Sequence, residues 1–147
     1  MTSVGWLDFG LHMRLSDAIR AQVGVDGNIQ AWMSAFERVS QRPILSSFFA
    51  AMFRLSGSPG IVFKATPRVF RRLKRTLGVM TLDLAGESKS ARIDLVVYPA
   101  TEYSIDCYAV GLLGSVRAVM ERADEKGAVI LDITDPATGH IGYSLTW

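Results

Sequence analysis

The first forty residues carry apolar side chains at helical spacing, and they predict two helices. In the first helix the apolar positions recur every fourth residue, at Leu15, Ile19 and Val23. Gly24 is the predicted stop, because glycine readily adopts the left-handed conformation that ends many helices. Asp26 or Asn28 is the candidate cap of the second helix, and Pro43 limits its length. The apolar stripe of this second helix consists of Ile29, Trp32, Met33, Phe36 and Val39.

A third helix is predicted directly after Pro43. It is apolar over most of its circumference, so we expect it to be the most buried helix of the chain. The loop sequence SGSPG, residues 56–60, ends it. Its apolar positions are Ile44, Leu45, Phe48, Phe49, Met52 and Leu55.

A fourth helix with two contrasting faces is predicted over residues 67–77. Thr66 is the expected N-cap, Pro67 the first helical residue and Gly78 the left-handed residue after the last turn. At 100° per residue, one face of this helix is apolar and the opposite face is basic. The apolar face holds Val69, Phe70, Leu73 and Leu77. The basic face holds Arg68, Arg71, Arg72 and Arg75.

From Val79 onwards the apolar period changes from about four to two, which indicates strands. Residues 79–97 read as a hairpin, and residues 128–147 read as a second hairpin with the turn DPATG. Between them, residues 101–108 are β-prone and form a candidate third strand. They are followed by a helix whose inward positions start at Leu112 and which ends at Gly127. The element order predicts an α+β fold.

The 147 residues are most simply one domain, 1–147, with a helical half (1–78) and a sheet half (79–147). Hydrophobic residues make up 49% of the chain, which is enough for a packed core. Cys107 is the single cysteine, so no disulfide forms within the chain and we expect a reducing compartment. No signal-peptide pattern is visible, and no apolar run approaches the roughly 20 residues of a membrane span. A cytoplasmic protein is therefore expected.

Charge is unevenly distributed although the net charge is only +2. Residues 1–78 contain 11 basic and 4 acidic residues, a net of +7, whereas residues 79–147 contain 5 and 10, a net of −5. The basic residues of the fourth helix repel one another, and an acidic protein surface, including that of a second copy, would relieve the repulsion. The alternative is an ordinary solvated face. Nucleic acid is not the expected partner, because aromatic residues do not interleave with the basic ones.

The sequence offers no recognisable catalytic machinery, so no enzyme is expected. It contains neither a nucleophile-elbow motif nor a zinc-protease motif, and residues 57–60 lack the Lys-Ser/Thr ending of a phosphate loop. Asp106, Asp132 and Asp135 are interpreted as turn or strand-face residues. One cysteine cannot build a cysteine metal cluster, so no metal site is expected. Cys107 is interpreted as a small buried side chain, with a reactive or acylated thiol as the alternative.

Three stretches resemble a known family: FKATPRVFRRLKRTLGVMTLDL, ARIDLVVYPA and the segment from YSIDCY to YSLTW. They are similar to the myxobacterial domain of unknown function related to the four-vinyl-reductase domain. The wider superfamily includes the haem–nitric oxide binding domains and the TRAPP vesicle-tethering subunits. The likeness covers roughly residues 43–147. It implies a helical bundle packed on a twisted antiparallel sheet, with one helix inserted between strand pairs.

The superfamily's members hold haem, another apolar ligand or a protein partner in this cradle. The haem-binding relatives use a histidine on the helix before the first hairpin and a Tyr-x-Ser-x-Arg pattern on the propionates. Residues 67–77 contain no histidine, and Tyr103-Ser104 is followed by Asp106 without a nearby arginine. His12 and His140 lie elsewhere in the chain. Haem bound in the family's way is therefore not expected, and no cofactor is predicted.

The favoured interpretation is a non-enzymatic adaptor module that binds a protein partner or a second copy, as a homodimer. Its predicted partner surface is Arg68, Arg71, Arg72 and Arg75. The predicted pocket walls are Phe48, Phe49, Met52, Phe63, Phe70 and Leu73, which could equally be plain core. The alternative is a sensor domain that holds an apolar molecule or tetrapyrrole without histidine ligation, and a nucleic-acid binder comes third.

Overall fold

A computed structural model describes residues 9–43, 46–47, 50–51, 54, 59–73, 78–85, 89–97, 105–122 and 126–147. Residues 43, 46, 47, 50, 51 and 54 are helical. The remaining elements are α1 (Phe9–Ser40), α2 (Pro59–Leu73), β1 (Gly78–Ala85), β2 (Ser90–Val97), α3 (Ile105–Arg122), β3 (Ala128–Asp135) and β4 (His140–Thr146). This order confirms the predicted α+β fold, with one helix inserted between two strand pairs.

The four strands form one antiparallel sheet in the order β1-β2-β4-β3. Each hairpin contributes two neighbouring strands, and pairing of β2 with β4 joins the hairpins across α3. The register shifts between Leu131 and Ile133, so Asp132 is an extra residue in β3. Both predicted hairpins are thus confirmed. The sequence pattern alone does not show which strands meet in the centre.

The two predicted front helices form one element with a kink. Gly24 has φ 74° and ψ −171°, so it leaves the helical conformation where the sequence predicts a stop. The chain then resumes the helix up to Ser40. Asn28 is inside this second half and fully buried, so the prediction that it caps the helix is wrong. Its amide is held by another helix instead.

The predicted start of the fourth helix is also wrong. α2 begins at Pro59, inside the stretch expected to be a loop, and Pro67 lies within the helix. The hydroxyl of Thr66 donates to the carbonyl of Val62, 3.1 Å away, so this side chain belongs to a helical turn and not to a cap. Both Pro59 and Pro67 are compatible with the first turn of a helix, and the sequence pattern alone indicated Pro67 as the start.

Gly78 and the candidate third strand give two further corrections. Gly78 pairs with Val97 as the first residue of β1, and a Cβ there would collide with the Val96 carbonyl. It is needed for close strand approach rather than for a left-handed turn. Residues 105–108 of the candidate strand form the first turn of α3, and residues 101–104 lie outside the described part of the chain. This error arises because a short apolar run is compatible with a strand and with a buried helix, so the sequence pattern does not distinguish the two.

The core lies between the inner face of the sheet and α2 and α3. α2 packs beside β1, α3 packs beside β3, and α1 packs along α3. Leu95, Ile141 and Tyr143 are completely buried on the inner face of the central strands. The hydroxyl of Tyr143 donates to the carbonyl of Ala109 at 2.7 Å, which fastens α3 to β4. None of the described helices combines the length and apolarity that a membrane crossing requires.

Glycines let α1 and α3 approach each other closely. A Cβ at Gly114 would collide with the backbone carbonyl of Ile29, and one at Gly111 would lie 2.6 Å from the indole of Trp32. Both glycines face α1, one turn of α3 apart. The close contact between these two helices therefore depends on the absence of a side chain at both glycines, which lets the backbone of α3 approach α1.

Candidate functional site

The predicted pocket walls are described in part. Phe63 and Phe70 are two turns apart on α2, are 1% and 8% exposed, and belong to the same apolar cluster as Met80 and Leu95. The ring of Phe63 lies 6.2 Å from that of Trp147, tilted by 40°. The structure thus places both phenylalanines on the core side, as the pattern predicts. Phe48, Phe49 and Met52 lie outside the described residues, and so does the side chain of Leu73.

The predicted partner surface is also described in part. Arg68 and Arg71 are exposed on α2, and Lys64 is exposed one turn before Arg68. Among the residues that the structure describes, none forms an ion pair with these three. Arg75 and the side chain of Arg72 lie outside the described part. A basic stripe of at least three side chains therefore lines the face of α2 that points away from the core.

A charged network covers the outer face of the sheet, and sequence reasoning missed it. Arg92 on β2 reaches Asp94 at 3.0 Å and Asp132 on β3 at 2.9 Å. The hydroxyl of Ser144 on β4 also donates to Asp132, at 2.5 Å. Nε2 of His140 lies 2.7 Å from Asp94 at the other end of the network. Each residue looks like an ordinary polar position in its strand, and only the pairing of β2 with β4 brings them together.

The network shifts the ionisation of its members. Hydrogen bonds from Arg92 to Asp94 and to Asp132 raise the pKa of the Arg92 guanidinium above its ordinary value. Partial desolvation works to raise the pKa of Asp132, but hydrogen bonds from Ser144 and Arg92 outweigh it and the pKa is lowered. The arginine lies directly above Gly142, where a Cβ would be 2.5 Å from its Nη2. The network therefore consists of mutually satisfied charges.

A second polar cluster, also missed by sequence reasoning, lies where α1 meets the start of α3. Nη1 of Arg20 donates to Sγ of Cys107 at 3.4 Å, and Nδ2 of Asn28 donates to the Cys107 carbonyl at 3.3 Å. Asn28 is fully buried, and its Oδ1 has no hydrogen-bond partner among the described residues. A buried acceptor without a donor costs about 1–3 kcal/mol. Such a group in an otherwise apolar contact points to a role beyond packing.

The residues present do not fit a haem ligated through a histidine of α2. That helix contains no histidine, and its inward positions carry Phe63 and Phe70. His140 lies on the outer face of the sheet against Asp94, while its neighbour Ile141 points to the core. His12 lies in α1. Within the described ranges, no group of three or more His, Cys, Asp or Glu side chains is arranged to hold a metal ion.

No protein-family model matches the sequence, and no curated protein matches it either. Solved structures do match it, and H-NOX proteins are among them. The Fe(II) unliganded H-NOX protein from K. algicida is 12% identical, with a TM-score of 0.65, over 99% of this chain and 76% of that one. The H-NOX from Shewanella woodyi, bound to IWP-051 in the Fe(II)CO state, is 13% identical, with a TM-score of 0.60, over 99% and 75%.

A further H-NOX structure, from work on haem distortion, has a TM-score of 0.68 at 11% identity and covers all of this chain and 76% of its own. Identities this low establish the architecture and leave the chemistry open. The fold that the sequence resemblance implies is thus confirmed, and the chain shares its architecture with these H-NOX structures.

Proposed function

We propose that this chain is a ligand-binding sensory domain that holds an apolar small molecule without a histidine–iron bond. The similarity to H-NOX structures covers the whole chain and not one motif, which supports a shared cradle for a ligand. Among those structures are an unliganded Fe(II) H-NOX protein and an H-NOX bound to IWP-051 in the Fe(II)CO ligation state. The proposal assigns no catalytic step to the chain. It replaces the adaptor interpretation as the leading hypothesis.

The observation that carries the proposal is the composition of α2. Its buried side carries Phe63 and Phe70, and it contains no histidine. Aromatic side chains offer a large apolar contact area and no strong ligand for iron. A cradle of this kind favours a ligand that is recognised by packing and by a few polar contacts.

Extraction and add-back test this proposal. Organic extraction of the purified protein is expected to release one small molecule, which rebinds saturably to the stripped protein. Phe63→Leu is expected to weaken rebinding about tenfold, because the aromatic contact is lost while most of the volume is kept. Lys64→Gln, on the exposed side of the same turn, serves as the matched control and should rebind normally. An empty extract, or equal affinity of both variants, would contradict the proposal.

The adaptor function stays a second candidate because of the basic stripe on α2. Lys64, Arg68 and Arg71 are exposed in line, and none of them forms an ion pair with another described residue. Such a stripe suits an acidic protein surface. The double change Arg68→Glu and Arg71→Glu is expected to abolish partner binding and to leave the unfolding temperature unchanged. Partner capture by the double variant at the wild-type level would eliminate this candidate.

The finer assignments belong to the same proposal. A reducing, cytoplasmic location is proposed because the chain has a single cysteine. Homodimer formation is proposed from the uneven charge distribution. Membership of the myxobacterial family related to the four-vinyl-reductase domain is proposed from the sequence stretches given above. Sedimentation at two salt concentrations measures the dimer directly.

A further inference from the structure

Cys107 occupies a polar position that packing does not explain. It is the third residue of α3, and two side chains from opposite sides of the α1 kink converge on it. Arg20 precedes Gly24 and donates to the sulfur at 3.4 Å. Asn28 follows Gly24 and donates to the Cys107 carbonyl at 3.3 Å. The sulfur therefore accepts a hydrogen bond from a guanidinium although the Cys107 side chain is buried.

The fully buried Asn28 supplies the second, independent observation. Its Nδ2 is committed to the Cys107 carbonyl, which only accepts hydrogen bonds, so the orientation of the amide is fixed. Its Oδ1 must therefore accept a hydrogen bond, and no donor is present among the described residues. Asn28 Oδ1, on the same amide group that donates to the Cys107 carbonyl, thus lacks one O–H or N–H donor.

We propose that Cys107 is a peroxide-oxidised thiol whose sulfenic acid is held by Arg20 and Asn28. The sulfenic O–H can supply the donor that Asn28 Oδ1 lacks, and the sulfenic oxygen can accept from the Arg20 guanidinium. The reduced thiol accepts a hydrogen bond from the Arg20 guanidinium but leaves Asn28 Oδ1 without a donor. The oxidised form therefore completes a hydrogen-bond set that the reduced form leaves open. This inference is independent of the apolar ligand proposed above.

The chemistry balances with a hydroperoxide as the oxidant. Cys107 gives its thiol proton to solvent, and the sulfur attacks one peroxide oxygen. The S–O bond forms, the O–O bond breaks, and the leaving hydroxide or alkoxide takes up a proton to become water or an alcohol. Sulfur is oxidised by two electrons, and the peroxide is reduced by two. Cys107 is the chain's only cysteine, so no second thiol of the chain can convert the product into a disulfide.

Burial selects for a small oxidant. Cys107 is 8% exposed, and Arg20 at its side is half-buried, so the sulfur lies at the edge of the α1–α3 contact. A hydroperoxide of a few atoms can reach this edge more readily than a bulky alkylating reagent or a protein thiol.

Treatment of the folded protein with hydrogen peroxide, removal of the peroxide, unfolding in urea that contains dimedone, and intact-mass analysis test the proposal. One dimedone adduct at Cys107 is expected in the wild type and none in Cys107→Ser. Arg20→Gln is expected to slow adduct formation about tenfold, while Arg38→Gln, an exposed arginine of the same helix, leaves it unchanged. Asn28→Leu keeps the volume and is expected to shorten the lifetime of the sulfenic acid after peroxide removal.

Three results would overturn the proposal. The first is a wild-type protein that gains no adduct when the peroxide acts on the folded state but gains one when the protein is unfolded in urea before the peroxide is added. The second is equal oxidation rates for Arg20→Gln and Arg38→Gln. The third is an Asn28→Leu variant that folds and keeps the sulfenic acid as long as the wild type. If Asn28→Leu does not fold, the arginine pair and the folded-against-unfolded comparison still decide the question.

Discussion

The hydroxyl of Tyr143 donates a 2.7 Å hydrogen bond to the carbonyl of Ala109, and this bond ties the central strand β4 to the inserted helix α3. Tyr143 is completely buried, so its hydroxyl has no access to water as a substitute partner. The helix that the sequence places between two hairpins is thereby fixed to both of them, because β4 pairs with β2 and with β3.

Removal of this bond is predicted to weaken the fold modestly. Tyr143→Phe keeps the ring and loses the donor, so the expected loss is about 1 kcal/mol in the free energy of unfolding. For a chain of this size that corresponds to a fall of about 2–4 °C in unfolding temperature. Urea unfolding followed by circular dichroism measures it. An unchanged midpoint would mean that the hydroxyl contributes nothing.

Alkaline pH is predicted to destabilise the protein through two tyrosines. Burial raises the pKa of Tyr108, and burial together with the neighbouring Tyr108 raises that of Tyr143. Both tyrosines ionise at about pH 10 in the unfolded chain and at a higher pH in the folded chain. Their contribution to the free energy of unfolding is therefore fully present below about pH 10 and is lost as the pH rises. Ultraviolet titration should therefore show these two phenolates appearing together with unfolding. Their ionisation in a protein that is still folded would contradict the prediction.

Acid is predicted to weaken the network on the outer face of the sheet, because the pKa of one of its carboxylates is lowered by folding. The folded-state pKa of Asp132 is lowered, so its contribution is present above the unfolded value of about 3.9 and is lost as pH falls through the folded one. The effect is small because the pair with Arg92 is partly exposed. Asp132→Asn should flatten the curve of stability against pH on its acid side. Identical acid limbs for the wild type and the variant would refute this.

Close contact of α1 with α3 yields a steric prediction. Gly114→Ala drives a methyl group into the backbone carbonyl of Ile29 and is expected to cost about 1–3 kcal/mol. The neighbouring Ser115, half-buried on the same helix, provides the control, and Ser115→Ala should change stability by less than about 0.5 kcal/mol. Thermal unfolding of the two variants compares them. Equal stabilities would show that the helices can separate at no cost.

Local patterns predicted most of the architecture. The period of two from Val79 to Val97 indicated the first hairpin correctly, and the turn at DPATG indicated the second. The errors arose where local chemistry allows two outcomes. Pro67 fits a first helical position as well as Pro59 does, and residues 105–108 suit a buried strand as well as a buried helical turn.

Local sequence patterns could not predict the polar sites, because the residues of each site come from segments that are distant in the sequence. Arg92 and Ser144 meet only through the pairing of β2 with β4, and Asn28 meets Cys107 across 79 residues. Phe63 and Phe70 were predictable, since helical spacing fixes the face on which they lie. A sequence pattern therefore shows which side of an element faces the core and leaves open which elements meet there.

Native mass spectrometry and a visible absorption spectrum of the same purified sample test the central claim most directly. The account predicts a bound species of a few hundred daltons that is lost on denaturation, together with the absence of the intense absorption band of a histidine-ligated haem. The bare chain mass in every charge state would contradict the presence of a ligand. A bound haem with a histidine-ligated spectrum would contradict the claim that this H-NOX fold works without histidine ligation.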